Sequence, residues 1–345
     1  MKRVIVSFID FGCNVDSYWR LAVVGKISIP ITLFWVSALI GLWPGAAYAA
    51  KCLYVSSYHP EYKWDQGIRR GLMPLLKDNC EFTTFFMDTK RNQQKDFGEA
   101  KALEALKLIR TMKPDVVIAA DDNASRFLVA PHLRDSDIPV VFCGINDSAK
   151  PYGYPYSNAT GMVEITPHRP LLLAINGVLP KTRSGLFLAA DVMSQRRMYS
   201  RLQERFAHGG IKLASRFVTT QDDWESVWNN PDRQGFIFIG NPAGIEDWDR
   251  ERAHQFMSSN HNIFTLSAWD WMAPLAMVTV TKEPEEQGEW AAKVTLEILN
   301  KNASPKDIPV VVNRRWRMLV NPERLQQAGF KLPVTIQHVT EVVKP

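Results

Sequence analysis

The chain has 345 residues, 46% of them hydrophobic and 22% charged, which is enough apolar material for one large or two medium cores and too little charge for disorder. The formal net charge is +5, and part of it sits near the amino terminus, where Lys2, Arg3, Arg20 and Lys26 outnumber Asp10 and Asp16. No Lys/Arg run or basic stripe follows, which argues against nucleic acid as a partner.

The chain opens as an export signal. Ile27 to Trp43 is almost wholly apolar and follows Arg20 and Lys26; Ala47-Tyr48-Ala49 then fits a small-x-small cleavage pattern, with the cut before Ala50. The alternative is an uncleaved membrane anchor, since a run of this length nearly spans a bilayer. The expected compartment is the periplasm. A lipid anchor on Cys52 is rejected because Lys51, not a small residue, precedes it.

Cys52 opens the first strand expected (Cys52–Ser56), and Cys80 opens the second (Cys80–Met87). In a parallel sheet these starts are neighbours, so a Cys52–Cys80 disulfide is geometrically reasonable in an oxidising compartment, two buried thiols being the alternative. Cys143 lies within Val140-Val141-Phe142-Cys143 and reads as a core thiol.

Between these strands Gln66–Lys77 reads as a helix, with Ile68, Leu72, Leu75 and Leu76 on one face. Phe97–Met112 is an amphipathic helix. Val116–Ala120 has no alternation, as expected for a strand covered on both faces. It stops at Asp121-Asp122-Asn123, residues that either turn and cap the chain or line a site at a strand's carboxyl end. A short helix, Ala124–Ala130, is expected to break at Pro131. Pro139–Cys143 is a fourth strand, ending at Gly144 and Asn146.

A second alternation runs from Leu171. Strands are expected at Ser184–Ala190, Lys212–Val218, Gly235–Ile239 and Ile263–Leu266, with helices between them. Asp191, Asn241, Trp269 and Asp270 follow strand ends. A further strand (Ala276–Thr281), a helix (Glu285–Asn300), short strands at Ile308–Val312 and Met318–Val320, and a helix capped by Asn321 complete the order. The fold class is therefore α/β: two doubly wound parallel-sheet lobes in series.

Motif chemistry narrows the function. The seven His residues show no HExxH or CxxC spacing, so no metal is expected. No GxSxG elbow, P-loop or GxGxxG is found, so no nucleotide or other cofactor is expected either. Asp121 and Asp122 are adjacent and fit capping better than paired acid/base work. Tyr58, Tyr62 and Trp64 follow the first strand, and Trp269 and Trp271 the last strand of the second lobe. Aromatics beside Ser, Asn and Asp at strand ends suit a cleft for a flat or ring-bearing ligand. Asp270 would receive a ligand amine or cap the next segment.

Several phrases resemble the ABC transporter substrate-binding protein family: Ser56-Ser57-Tyr58-His59-Pro60 with Trp64, Gly67 and Gly71; Asp115-Val116-Val117-Ile118-Ala119 with Asp121 and Asn123; Pro139 to Asn146; Gly161-Met162; Glu286-Gln287-Gly288; and Asn321 with Gly329 and Pro333. The resemblance covers about residues 52–333. It implies a type I periplasmic binding protein fold with a hinge and three crossings, expected near Thr160, Thr281 and Val312. Residues 50–160 and 282–312 would form one lobe, 161–281 and 313–335 the other, and 336–345 a tail. It implies a ligand-binding cleft faced by Ser57, Tyr58, Asp121, Asn123, Asn146, Asp191, Asn241 and Trp269; the aromatic and strand-end pattern adds Trp64 and Asp270.

The function expected is that of a monomeric periplasmic solute-binding protein, without catalysis, which passes an amino acid, aromatic compound or sugar to an ABC permease. The alternatives are a ligand-sensing partner of a membrane kinase or cyclase, and an exported enzyme using Asp121 or Asp122.

Overall fold

The computed structural model describes residues 49–229, 235–338 and 340–343. The stretch read from the sequence as an export signal, with Cys13, lies outside the described residues, apart from Ala49. Among the described residues no helix is long and apolar enough to cross a membrane.

The first sheet is built from β1 (Ala50–Ser56), β2 (Cys80–Phe86), β3 (Val116–Ala120), β4 (Val140–Asn146), β5 (Ala159–Glu164) and β11 (Val311–Val312), in the order β11-β5-β4-β3-β1-β2. All its pairings are parallel. Helices cover both faces, so the central strand β3 reads as a continuous apolar run, while edge strand β2 carries Glu81, Thr83 and Thr84. Leu53, Val55, Val117 and Ala119 pack against α2 (Lys95–Met112) and a π-helix (Ala124–Leu133). Cys52, Tyr54, Val116 and Ile118 turn to the other face, under α1 (Lys63–Leu76) and α8 (Pro284–Leu299). A disulfide joins Cys52 and Cys80, with Cα atoms 5.9 Å apart, and Cys143 is a buried free thiol.

The second sheet holds β6 (Ser184–Ala190), β7 (Lys212–Val218), β8 (Phe236–Ile239), β9 (Phe264–Ser267), β10 (Val278–Lys282), β12 (Trp316–Val320) and β13 (Thr340–Val342), in the order β13-β12-β10-β9-β8-β6-β7. Only β10 and β12 run antiparallel. Its helices are α4 (His168–Val178), α5 (Met193–His208), α6 (Gln221–Ser226), α7 (Arg250–Ser259), α9 (Pro322–Gln327) and α10 (Val334–Gln337). Trp224, Trp228 and Trp248 form an aromatic core on one face of this sheet.

Three details differ from the sequence reading. The first crossing falls after Glu164 rather than near Thr160, because β5 pairs with β4 through Glu164. The stretch read as a tail from residue 336 contains β13, which pairs with β12 as Met318↔Thr340 and Val320↔Val342. Pro131 does not end its helix: a single turn, α3 (Asp121–Asn123), runs into the π-helix, which continues to Leu133. Pro131 falls in the last turn of that helix, where it limits extension without expelling its neighbours.

Candidate functional site

The carboxyl ends of β1 to β4 are stitched together by short polar side chains. Ser57 Oγ donates to the Ala120 carbonyl at 2.6 Å and accepts from the Ala124 N–H at 2.7 Å. Thr89 Oγ1 donates to the Ser57 carbonyl at 2.5 Å and accepts from Asn123 Nδ2 at 2.9 Å. Ser57 and Asn123 therefore hold the rim in shape, with these groups already engaged by the protein.

Asp121 stands out within that rim. It is buried, at 2% exposure, with φ +69°, a left-handed conformation that aspartate tolerates better than most residues. Its Oδ2 has no hydrogen-bond partner among the described residues. Burial, then the charges of Glu164, Asp65 and Asp122, push its carboxyl well above the usual range, and Lys90 opposes them. A register shift between β4 and β5 sits beside it, at Phe142/Ile145. Gly144, inside that irregularity, has φ +72°, and a Cβ there would lie 2.9 Å from Asp121 Oδ1. The Gly144 N–H donates to Gln287 Oε1 of α8 at 2.9 Å.

Tyr58 and Tyr62 form the aromatic part of this wall, their rings edge to face at 4.7 Å. Burial, followed by the Asp121 charge, raises both phenols. Lys90 Nζ lies 5.5 Å from the Tyr58 ring and 5.4 Å from the Tyr62 ring. Trp64 is half-buried at the start of α1, with its Nε1 unpartnered.

Two groups that the sequence reading did not select complete the wall. Lys282, at the end of β10, donates to Glu164 Oε1 at 2.7 Å and places its ammonium 5.2 Å from the Trp64 ring. Glu164 Oε2 is buried without a partner. Burial raises the Glu164 carboxyl from 4.5 to about 7, with Lys282 pulling it down and Asp122 and Asp147 adding to the rise. The signal for Glu164 was present: it is an acid at a strand's carboxyl end, as Asp121 is. Its partner lies 118 residues away, and no local spacing encodes that pair.

Asn146 is exposed and donates to Asp122 Oδ2 at 2.7 Å, while Tyr152 Oη donates to Asp122 Oδ1 at 2.7 Å. Asp147 pairs across the lobes with Arg201 of α5. In the second lobe Asp191 is exposed and accepts from Arg196 Nε at 2.6 Å. Asn241 Oδ1 accepts from the Ala243 N–H at 3.0 Å, and its own N–H donates to Gln195 Oε1 at 3.0 Å. Trp269 packs on Phe238 and Trp271. Asp270 Oδ1 accepts from the Trp271 N–H at 2.8 Å. These second-lobe groups are engaged by neighbours within the second lobe, whereas among the described residues Asp121, Glu164 and Trp64 of the first lobe keep buried atoms unengaged.

Among the described residues no three His, Cys, Asp or Glu converge in a way that could hold a metal ion. A separate groove on the second lobe is lined by Arg183, Gln203, Glu204 and Lys212. It is wide open, and these four side chains are exposed.

No curated protein matches the sequence. Among solved structures, a ligand-free, open substrate-binding protein with adhesive properties from Clostridium difficile is similar at TM-score 0.67 and 15% identity, over 86% of this chain and 99% of that one. The ABC domain from Streptococcus pneumonia in complex with L-Trp gives 0.58 and 16%, over 85% and 100%. A conserved domain protein from Vibrio cholerae gives 0.60 and 17%, over 86% and 100%. Identities this low speak for the fold alone, which is that of type I periplasmic binding proteins. Residues 59–344 match the family described as ABC transporter substrate binding protein, and the chain belongs to that family.

Proposed function

We propose that the protein binds a small organic molecule in the cleft between its lobes and delivers it to an ABC permease of the inner membrane, acting in the periplasm after removal of residues 1–49. The observation that carries this reading is the first-lobe wall. Asp121 Oδ2, Glu164 Oε2 and Trp64 Nε1 are buried and unpartnered beside Tyr58, at the ends of strands where open α/β sheets take ligands. Buried polar atoms left without partners are costly, so a ligand that supplies those partners is held firmly. Hinge closure would bring the second-lobe aromatics Trp269 and Trp271 onto the ligand. The Streptococcus relative's complex with L-Trp recommends aromatic amino acids and their analogues as the first compounds to try.

The test combines location with transport. Cells expressing the full chain are expected to release the protein with the periplasmic fraction, its first residue Ala50 by mass spectrometry. The molecule carried by the purified protein is identified after denaturation, and its uptake is measured with and without the gene. Uptake that falls on deletion and returns with the intact chain supports the importer role. A bound molecule whose uptake is unaffected by deletion refutes that role and leaves the sensor alternative.

A further inference from the structure

We propose that the first-lobe wall recognises an ammonium group on the ligand, with Asp121 as its counter-ion and the faces of Tyr58 and Tyr62 beside it, and that Lys90 stands in for that group when the cleft is empty. This rests on the reading that the cleft is the binding site.

The argument starts from charge. Asp65, Asp121, Asp122, Asp147 and Glu164 gather at this end of the first sheet. Arg69 donates to Asp65 at 2.7 Å, Arg201 pairs with Asp147, and Lys282 pairs with Glu164. Asp122 accepts from Asn146 and Tyr152. Among the described residues Asp121 has no such partner: its Oδ2 is buried and unengaged, and Lys90 is a cation that offsets it. An anionic group would meet further carboxylates there. A neutral hydroxyl would supply a hydrogen bond but not the charge. An ammonium supplies both.

The lysines add a second, independent observation. Lys90 is exposed, and no ion pair involving its ammonium is found among the described residues, yet that group lies over both tyrosine rings at 5.5 and 5.4 Å. Lys282 does the same over Trp64 at 5.2 Å. Aromatic faces attract cations through their quadrupoles, more strongly where water is scarce. Side chains of the protein itself thus already place cations over the aromatic surfaces of this wall. Lys90 sits on a loop and can swing to solvent, so a ligand ammonium can take its place.

The test uses matched pairs that differ by the ammonium: tryptamine against tryptophol, and phenethylamine against 2-phenylethanol, with L-tryptophan and indole-3-propionate as the amino-acid and acid arms. Binding to the protein recovered from the periplasm is read by thermal shift and calorimetry. The amines or L-tryptophan are expected to bind about tenfold or more tightly than their ammonium-free analogues. Binding of the amines marks the source as a simple amine; binding of L-tryptophan without them marks it as an amino acid. Asp121→Asn, which keeps a residue that accepts positive φ, is expected to lose about tenfold or more in affinity while melting no lower than the parent when unliganded. Lys90→Met, at an exposed position, is expected to bind several-fold tighter because the tethered competitor is gone. Three results would overturn the proposal: ammonium-free probes that bind as well, an Asp121→Asn variant of unchanged affinity, or no binding by any probe at ~10 mM to Lys90→Met, a concentration well above the affinities of such sites. Strong binding of tryptophol or indole-3-propionate would sink the ammonium while leaving the binding-protein function standing.

Discussion

Glu164 shows what burial does to a single carboxyl at this end of the first sheet. Its folded value of about 7, against 4.5 when free, means that the protonated form is favoured by folding. The stabilisation is fully present below about pH 4.5 and is lost as pH rises through about 7. Lys282 faces the group and limits the effect; Asp122 and Asp147 enlarge it. Glu164→Gln removes this titration. Urea unfolding at pH 5 and pH 8 should therefore show the parent losing on the order of 1–3 kcal/mol more than the variant. An equal loss in both would place the pH sensitivity elsewhere. Asp121 carries the same sign, and the charged or titratable groups around it include Tyr54, Tyr58, Tyr62, Asp65, Asp122, Cys143, Glu164 and Lys90. A ligand cation that ionises Asp121 should release a proton, so calorimetric enthalpies should vary with the ionisation enthalpy of the buffer.

At the scale of elements, the glycines quoted from the sequence acquire a physical reason. A Cβ on Gly288 would lie 1.9 Å from the Ile68 carbonyl oxygen, and one on Gly71 would lie 2.1 Å from the Glu285 carbonyl oxygen. Helices α1 and α8 meet backbone to backbone, a contact that a methyl group would force apart. Gly288→Ala is expected to destabilise the protein by about 3 kcal/mol, near the upper end of overpacking costs, as measured by urea unfolding. Gln287, one residue earlier, reaches the Gly144 N–H, so the same seam positions the loop beside Asp121. Most strands of both sheets were legible, because runs such as Val116–Ala120 have only one way to be covered on both faces, although β5 was not read as a strand. Asp121 was legible because it ends such a run. Glu164 and Lys282 were not, because their meaning arises only when two crossings come together. The π-helix and β13 were missed for related reasons: neither a wider helical turn nor a short edge strand leaves a periodic signature. At the second-lobe strand ends the Asn241 and Asp270 side chains accept from the nearby backbone N–H groups of Ala243 and Trp271, as such side chains commonly do in turns.

Across the whole molecule, the described lobes are tied near the crossings by Glu164 with Lys282 and by Asp147 with Arg201. Burial pushes the Asp147 carboxyl up, and Arg201 is the first of the cations that pull it back. Arg201→Gln leaves that carboxylate without its partner. The expected loss is about 1 kcal/mol at pH 8, discounted because the guanidinium is partly exposed, and smaller at pH 4, where Asp147 takes up a proton. Parallel denaturation curves at the two pH values read this directly, and an equal loss at both would assign the effect to packing of the arginine stem.

The seam between α1 and α8 also sets an order of assembly. Gly67 and Gly71 lie early in the chain, while Pro284, Glu285 and Gly288, which press against them, come only after every strand from β6 to β10 has been made. The first lobe is therefore begun first and sealed late, with the second lobe threaded between its two parts. Until residue 284 and its successors arrive, Ile68 and Leu72 of α1 are covered by the first sheet but not by α8. A nascent polypeptide of this design carries a half-covered first lobe until α8 has emerged.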